Sequence, residues 1–344
     1  MRLSLFAFIL SLLLFVLEAL ASPPLQIGMI VPLSGSAALM GKSMEGVVKL
    51  AQLKNVQMVF EDDQCDAKKS ISAYLKLRQQ GIRIVYMACS GSILATAPLI
   101  RRNGDLLLTT YSGSTRVQEL GTEVIRLNPD ATSLAYALKK LLEAGHAPVS
   151  ILYEEQEYAS SLADKLQSLV PEMIRERVSY KADATTFQAE LLRIKRTKPR
   201  YVVFVPVGDD AARIVLKEYA QLNIGIPLLG EVNLCDYPFQ LPDFGLTGKC
   251  ISAQLQGAAY EAFLKNYEAH VGYKSAFPFY DALAYDLLKY LDRLANEGIV
   301  NVDTIRERIL AGFQGDFMHY SLTSNGESAN AMDYLKVISY EGSQ

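Results

Sequence analysis

Residues 82–115 read IRIVYMACSGSILATAPLIRRNGDLLLTTYSGST. Ile82–Met87 and Leu106–Thr110 are short, nearly unbroken apolar runs, and Ser92–Asn103 between them is helical in pattern. Strands without polar alternation, separated by amphipathic helices, imply a parallel sheet covered on both faces. A hydroxyl-rich segment follows each strand: Cys89-Ser90-Gly91-Ser92, then Thr109-Thr110-Tyr111-Ser112-Gly113-Ser114-Thr115. Both fall at carboxyl ends of parallel strands, where open α/β sheets bind ligands. A helix N-terminus with free N–H groups and serine hydroxyls suits a carboxylate. N-capping by serine would explain either segment alone. Together, at consecutive strand ends, they favour a carboxylate site.

The same alternation extends both ways. Upstream, Gln26–Val31 and Val56–Glu61 read as strands, with helices over Gly41–Leu53 and Lys68–Gln80. Downstream the pattern restarts, with helix Ser133–Ala144, strand Val149–Tyr153, helix Ala159–Leu169 and strand Arg177–Lys181. Helix Phe187–Lys195, strand Tyr201–Pro206, helix Asp210–Leu222 and strand Leu228–Gly230 follow. A long helix over Tyr280–Asn296 and a strand-like Met332–Ser339 come after Gln256. Two successive open α/β units are expected.

Composition excludes several functions. The chain has 344 residues, 50% of them hydrophobic, with a net charge of -3. That is too apolar for a disordered chain, and no basic run marks a nucleic-acid binder. Arg2, the apolar stretch Leu3–Leu17 and Ala19-Leu20-Ala21 form the three parts of a cleavable signal peptide over residues 1–21. An exported, periplasmic protein is the expectation, and no other segment is long and apolar enough to span a bilayer.

Export makes Cys65, Cys89, Cys235 and Cys250 disulfide candidates with three possible pairings. Their clustering favours Cys65–Cys89 and Cys235–Cys250, each worth on the order of 3 kcal/mol by loop closure. His146, His270 and His319 lack zinc-ligand spacing to any cysteine, so no metal is expected. Gly35 and Gly41-Lys42-Ser43 mimic a phosphate loop, but five residues separate the glycines where the motif needs four. Asp63 and Asp66 read as turn and cap residues before a helix, and Asp209-Asp210 likewise. Hydrolase signatures are absent.

Ile27-Gly-Met-Ile-Val-Pro-Leu-Ser-Gly35, Glu61-Asp-Asp-Gln-Cys-Asp66, Cys89-Ser-Gly-Ser92 and Tyr280-Asp-Ala-Leu283 stand in a telling order. In that order the chain resembles the type I periplasmic solute-binding proteins of ABC transporters, in the leucine/isoleucine/valine-binding branch. The resemblance implies an α/β fold of two lobes, each an open, mostly parallel sheet with helices on both faces. It implies three hinge crossings, placed near Asn128–Thr132, Leu255–Ala258 and Met318–Ser321. Lobe 1 is then 22–129 plus 257–319, and lobe 2 is 130–256 plus 320–344. Hinge closure would trap a small amino acid or related amide for the permease of an ABC transporter. No cofactor, no nucleic acid and a monomer are expected. A sensor that signals to a receptor is the alternative on the same fold, and a secreted enzyme a remote one.

By the same resemblance the ligand carboxylate meets Ser90, with Gly91 and Ser92 beside it, and Ser114 beyond Gly113. The ammonium meets the carbonyl of Ser112 and the carboxylate of Glu231, and Tyr158 closes the pocket. Cys65–Cys89 matches a family disulfide, and Cys235–Cys250 has no firm match. Met40 and Val207 stand where aromatics often line the side-chain pocket, a departure from the branched-chain pattern.

Overall fold

The computed structural model describes residues 24–145 and 148–340. The expected signal peptide lies outside them, as do His146 and residues 341–344. The chain builds two large sheets. The first contains β1 (Leu25–Val31), β2 (Val56–Asp62), β3 (Ile84–Met87), β4 (Leu106–Thr109) and β5 (Val124–Arg126). All its neighbours are parallel, in the order β2-β1-β3-β4-β5.

The second sheet contains β6 (Val149–Glu154), β7 (Ile174–Tyr180), β8 (Tyr201–Val205), β9 (Leu228–Gly230) and β10 (Gly248–Ala253). Phe313–Gln314 and His319–Tyr320 pair separately as β11 and β12, and β13 (Leu335–Tyr340) returns to the second sheet. Its order is β7-β6-β8-β9-β10-β13, parallel except at the β10–β13 edge.

The strands lack polar alternation because both faces are covered. Ile27, Met29 and Val31, with Ile84 and Tyr86, pack in the core that holds Met44, Leu283 and Leu287. Ile30, Val85 and Met87 pack on the opposite side with Tyr74, Leu77 and Ile93. The two-lobed α/β fold follows from this repeated pattern.

Several expectations are corrected. The helix after β3 runs Ser90–Asn103, starting two residues before the expected Ser92. Helices Val302–Leu310 and Ala258–Val271, and strand β10, were not anticipated. Asp66 caps its helix by accepting from Lys68 and Lys69 N–H groups, as expected. Asp209 and Asp210 do not cap. Gly208 holds that position, and the two carboxylates lie in the first helical turn. The third crossing also shifts. Gly326–Ser328 still pair with Arg126 at the edge of the first sheet, so the chain changes sheet between Ser328 and Leu335.

Two disulfides, Cys65–Cys89 and Cys235–Cys250, tie segments within each sheet unit. Cys65–Cys89 links the loop after β2 to the end of β3, beside the cavity described next.

Candidate functional site

Both sheets reverse their strand order at one point, between β1 and β3 and between β6 and β8. Connections leave such a point in opposite directions and open a crevice at the strand ends. The two crevices face each other around a cavity of about 30 Å³, room for about two waters. The first sheet unit contributes Met40, Ser90, Gly91, Tyr111 and Gly113, and Tyr280 joins them from helix Pro278–Asn296. The second contributes Glu157, Tyr158, Val207 and Asn233.

The end at Ser90 is rich in donors. Helix Ser90–Asn103 begins beyond Cys89, which supplies no side-chain cap, so its first-turn amides lack a side-chain acceptor. The Ser90 and Ser112 hydroxyls are 2.9 Å apart, and Ser114 N donates to Ser90 Oγ at 3.2 Å. Ser114 Oγ donates across the crevice to Glu157 Oε1 at 2.8 Å, and Arg116 pairs with the same carboxylate at 3.1 Å. Thr115 N donates to Ser161 Oγ at 3.0 Å just beyond.

This loop is held from behind. The fully buried Arg126 donates to the Ser114 carbonyl at 2.6 Å and pairs with Glu327 at 2.5 Å. Asn128 donates to the Ser112 carbonyl at 3.0 Å. The carbonyl expected to meet an ammonium is therefore engaged by the protein itself. Ser92 also turns away from the cavity, donating to the buried Asp63 at 2.5 Å. Asp63 is no cap. It also accepts from Ser70 at 3.0 Å and Cys65 N at 3.1 Å, and burial pushes its carboxyl up.

The opposite end is acidic. Glu231 follows β9 and is fully buried; its Oε2 accepts from Tyr158 Oη at 2.6 Å and Asn233 N at 3.0 Å. Its Oε1 has no partner. Burial pushes the carboxyl up to about 7. Tyr158 and Asn233 reach the cavity, and Glu231 stands behind them. Tyr158 lies on Gly113, where a Cβ would sit 2.4 Å from its ring. Gly208 approaches the carbonyl of Ser36 nearly as closely, at 2.7 Å for an added Cβ. Two bare backbones thus let the units meet.

Of the candidate residues, Met40, Ser90, Gly91, Gly113, Tyr158 and Val207 line the cavity. Ser112, Ser114 and Glu231 form its hydrogen-bonded backing, and Ser92 belongs to the Asp63 cluster. Tyr111, Glu157, Asn233 and Tyr280 were not singled out. Tyr111 donates to the buried Asp281, which also accepts from Ser43 and, at 2.6 Å, from Ser275. Burial raises Asp281 to about 6. The signal for Tyr111 was its place among the hydroxyl residues after β4.

These carboxyls set a pH dependence. Glu231, Asp281 and Asp286 hold their protons to about 7, 6 and 7, above their unfolded values of 4.5, 3.8 and 3.8. A raised carboxyl binds its proton more tightly when folded, so its stabilisation is present at acid pH and lost as pH rises through the folded value. Calorimetric melting of the ligand-free protein should therefore fall between about pH 4 and 7 and level off above, with a smaller fall in Glu231→Gln.

A sequence profile of the family described as periplasmic binding protein matches residues 24–308. No curated protein matches the sequence. Solved structures do share the fold. One is a periplasmic binding protein type 1 from Bordetella pertussis, 19% identical over 92% of this chain and 96% of that one, with a TM-score of 0.80. Another is an ABC transporter solute-binding protein from R. palustris in complex with benzoate, 17% identical over 89% and 91%, at 0.77. A third is a leucine binding protein from Thermotoga maritima, 18% identical over 88% and 93%, at 0.76.

Proposed function

This chain belongs to the periplasmic binding protein family, and we propose that it captures a small amino acid or related amide outside the cytoplasm for an ABC transporter. The observation that carries this reading is the polarity of one cavity. Serine hydroxyls and an uncapped helix N-terminus stand at one end, and at the other Tyr158 and Asn233 line the cavity in front of the buried Glu231 carboxyl that both of them bond. A zwitterion satisfies both ends, and neither a plain acid nor a plain amine does. Closure between the units excludes water, which strengthens the attraction of Glu231 for an ammonium.

An aromatic acid is the second reading. Tyr111, Tyr158 and Tyr280 give the cavity three rings, and the R. palustris relative of this fold is described with benzoate. A thermal-shift screen of amino acids, amides and benzoates separates the two. A ligand at 100 times its dissociation constant adds about 2.7 kcal/mol of stability. Stabilisation by benzoates alone would overturn the amino-acid reading.

Ser90→Ala should weaken binding of a carboxylate ligand by roughly 1.5–3 kcal/mol, the value of a hydrogen bond to a charged group. Titration calorimetry checks it, and unchanged affinity would remove Ser90 from the site.

A further inference from the structure

We propose that the start of helix Glu157–Leu169 is a latch that holds the two sheet units together by itself, and that Ser114 serves this latch rather than the solute. The latch acts in the empty protein, whatever the solute is.

One loop of the first unit and one helix face of the second supply the parts. Ser114 caps the short 3-10 helix Thr115–Leu120, its Oγ accepting from Arg116 N at 3.2 Å. A helix start leaves amides that its own turn cannot satisfy. Thr115 N finds its acceptor in the other unit, in Ser161 Oγ at 3.0 Å, and the Thr115 and Ser161 hydroxyls lie 2.9 Å apart. Ser114 Oγ donates to Glu157 Oε1 at 2.8 Å, and Arg116 closes the set at 3.1 Å from Glu157 Oε2. Glu157 and Ser161, four apart in the chain, share one face of their helix. Tyr158, beside Glu157, is the residue seated on Gly113.

These cross-crevice bonds run from protein to protein, so none needs a solute atom. A hydroxyl has one proton to donate, so Ser114 cannot keep Glu157 and also donate to a solute carboxylate. Ser90 lines the cavity and Ser114 does not, which fits this division. The strength of the set suits reversible closure. Ser114 and Ser161 are buried, while the Arg116 side chain is 63% exposed and that of Glu157 22%. A groove of about 340 Å³, lined by Arg116, Glu157, Asp164 and Lys165, brings water and salt to the ion pair. The ionic part is therefore weak and screened. Each hydrogen bond shifts the balance of open and closed forms by about two- to tenfold. When the units part, the crevice admits water to Ser114, Thr115 and Glu157, so opening strands no buried group.

The full chain, refolded from guanidinium to strip any retained solute, can be read by small-angle scattering and by hydrogen exchange at the Thr115 amide. Compact scattering and a protected Thr115 amide are expected. Glu157→Ala leaves the Thr115–Ser161 bond itself untouched, yet it should open the scattering profile and quicken Thr115 exchange by about threefold or more. Ser161→Ala should open the profile as well. Glu157→Gln keeps an acceptor for Ser114 and loses the charge. Its exchange should fall between the two and stay constant from roughly 0.05 to 1 M salt, where wild-type exchange quickens. Ser114→Ala should match Glu157→Ala, and the double variant should go less than the sum of both. Wild-type scattering that Glu157→Ala leaves unchanged overturns the latch, as does a Thr115 amide that exchanges as fast in the wild type as in Ser161→Ala. Fully additive effects of Ser114→Ala and Glu157→Ala would put Ser114 outside it. None of these readouts depends on which solute the protein carries.

Discussion

Arg126→Ala is expected to destabilise the protein by about 3–5 kcal/mol, the usual cost of removing one partner of a buried ion pair. The guanidinium is fully buried and 2.5 Å from Glu327, so its loss leaves a half-buried carboxylate without its cation. It also strips the Ser114 carbonyl of a donor at 2.6 Å. Two segments far apart in sequence, the end of β5 and residues 326–328, keep their backbone bridge and lose the ion pair that reinforces it. Urea melts of the variant give the size of the effect. Arg126→Ala within 1 kcal/mol of the wild type, against this roughly 3–5 kcal/mol expectation, would mean water replaces the pair at no cost. Ligand affinity should fall as well, because Arg126 fixes the loop that carries Ser112 and Ser114.

Gly113→Val should weaken ligand binding by about 10–100-fold while leaving the ligand-free melt nearly unchanged. A Cβ at this position would lie 2.4 and 2.6 Å from Tyr158 ring atoms. The ring cannot swing aside without breaking its 2.6 Å bond to Glu231. Overpacking costs about 1–3 kcal/mol, and each 1.4 kcal/mol is about tenfold in affinity. The burden falls on the closed arrangement, since Gly113 and Tyr158 belong to different sheet units. Small-angle scattering should find the variant more open. Wild-type affinity in Gly113→Val would mean that binding does not need Tyr158 against Gly113.

The strand ends were legible in the sequence because burial on both faces leaves short apolar runs, bounded here by turn residues. Ile84–Met87 and Leu106–Thr109 are buried at every residue, and both were read nearly to their ends. Helix Ala258–Val271 was not, since its buried face is three aromatics, Tyr260, Phe263 and Tyr267, among small and charged residues. In the site, position along the chain was readable and direction was not. Ser90 and Ser92 are two residues apart on one helix turn, which aims one at the cavity and the other at Asp63. Asp209 looked like a cap for the same reason, because only the backbone turn at Gly208 decides which residue stands outside the helix. Partners such as Arg126 and Glu327 lie about two hundred residues apart, and no local pattern announces them.

The order in which the parts are synthesised differs from the order in which they can be completed. Strands β1 to β5 emerge first, yet the face bearing Ile27, Met29 and Val31 is covered only in part, by Met44 and Val47 of helix Ala38–Ala51, until helix Pro278–Asn296 has been made. The whole second sheet is translated in between, and its own β10 edge waits for Leu335–Tyr340. One face of the first sheet can be buried early, by Ile30, Val85 and Met87 against Tyr74, Leu77 and Ile93, while the other waits for the late helix. Contacts this distant are slow to form, so completion of both cores waits for the chain's last segments. Neither disulfide has to wait for those segments, since each joins residues within one sheet unit, 24 and 15 positions apart.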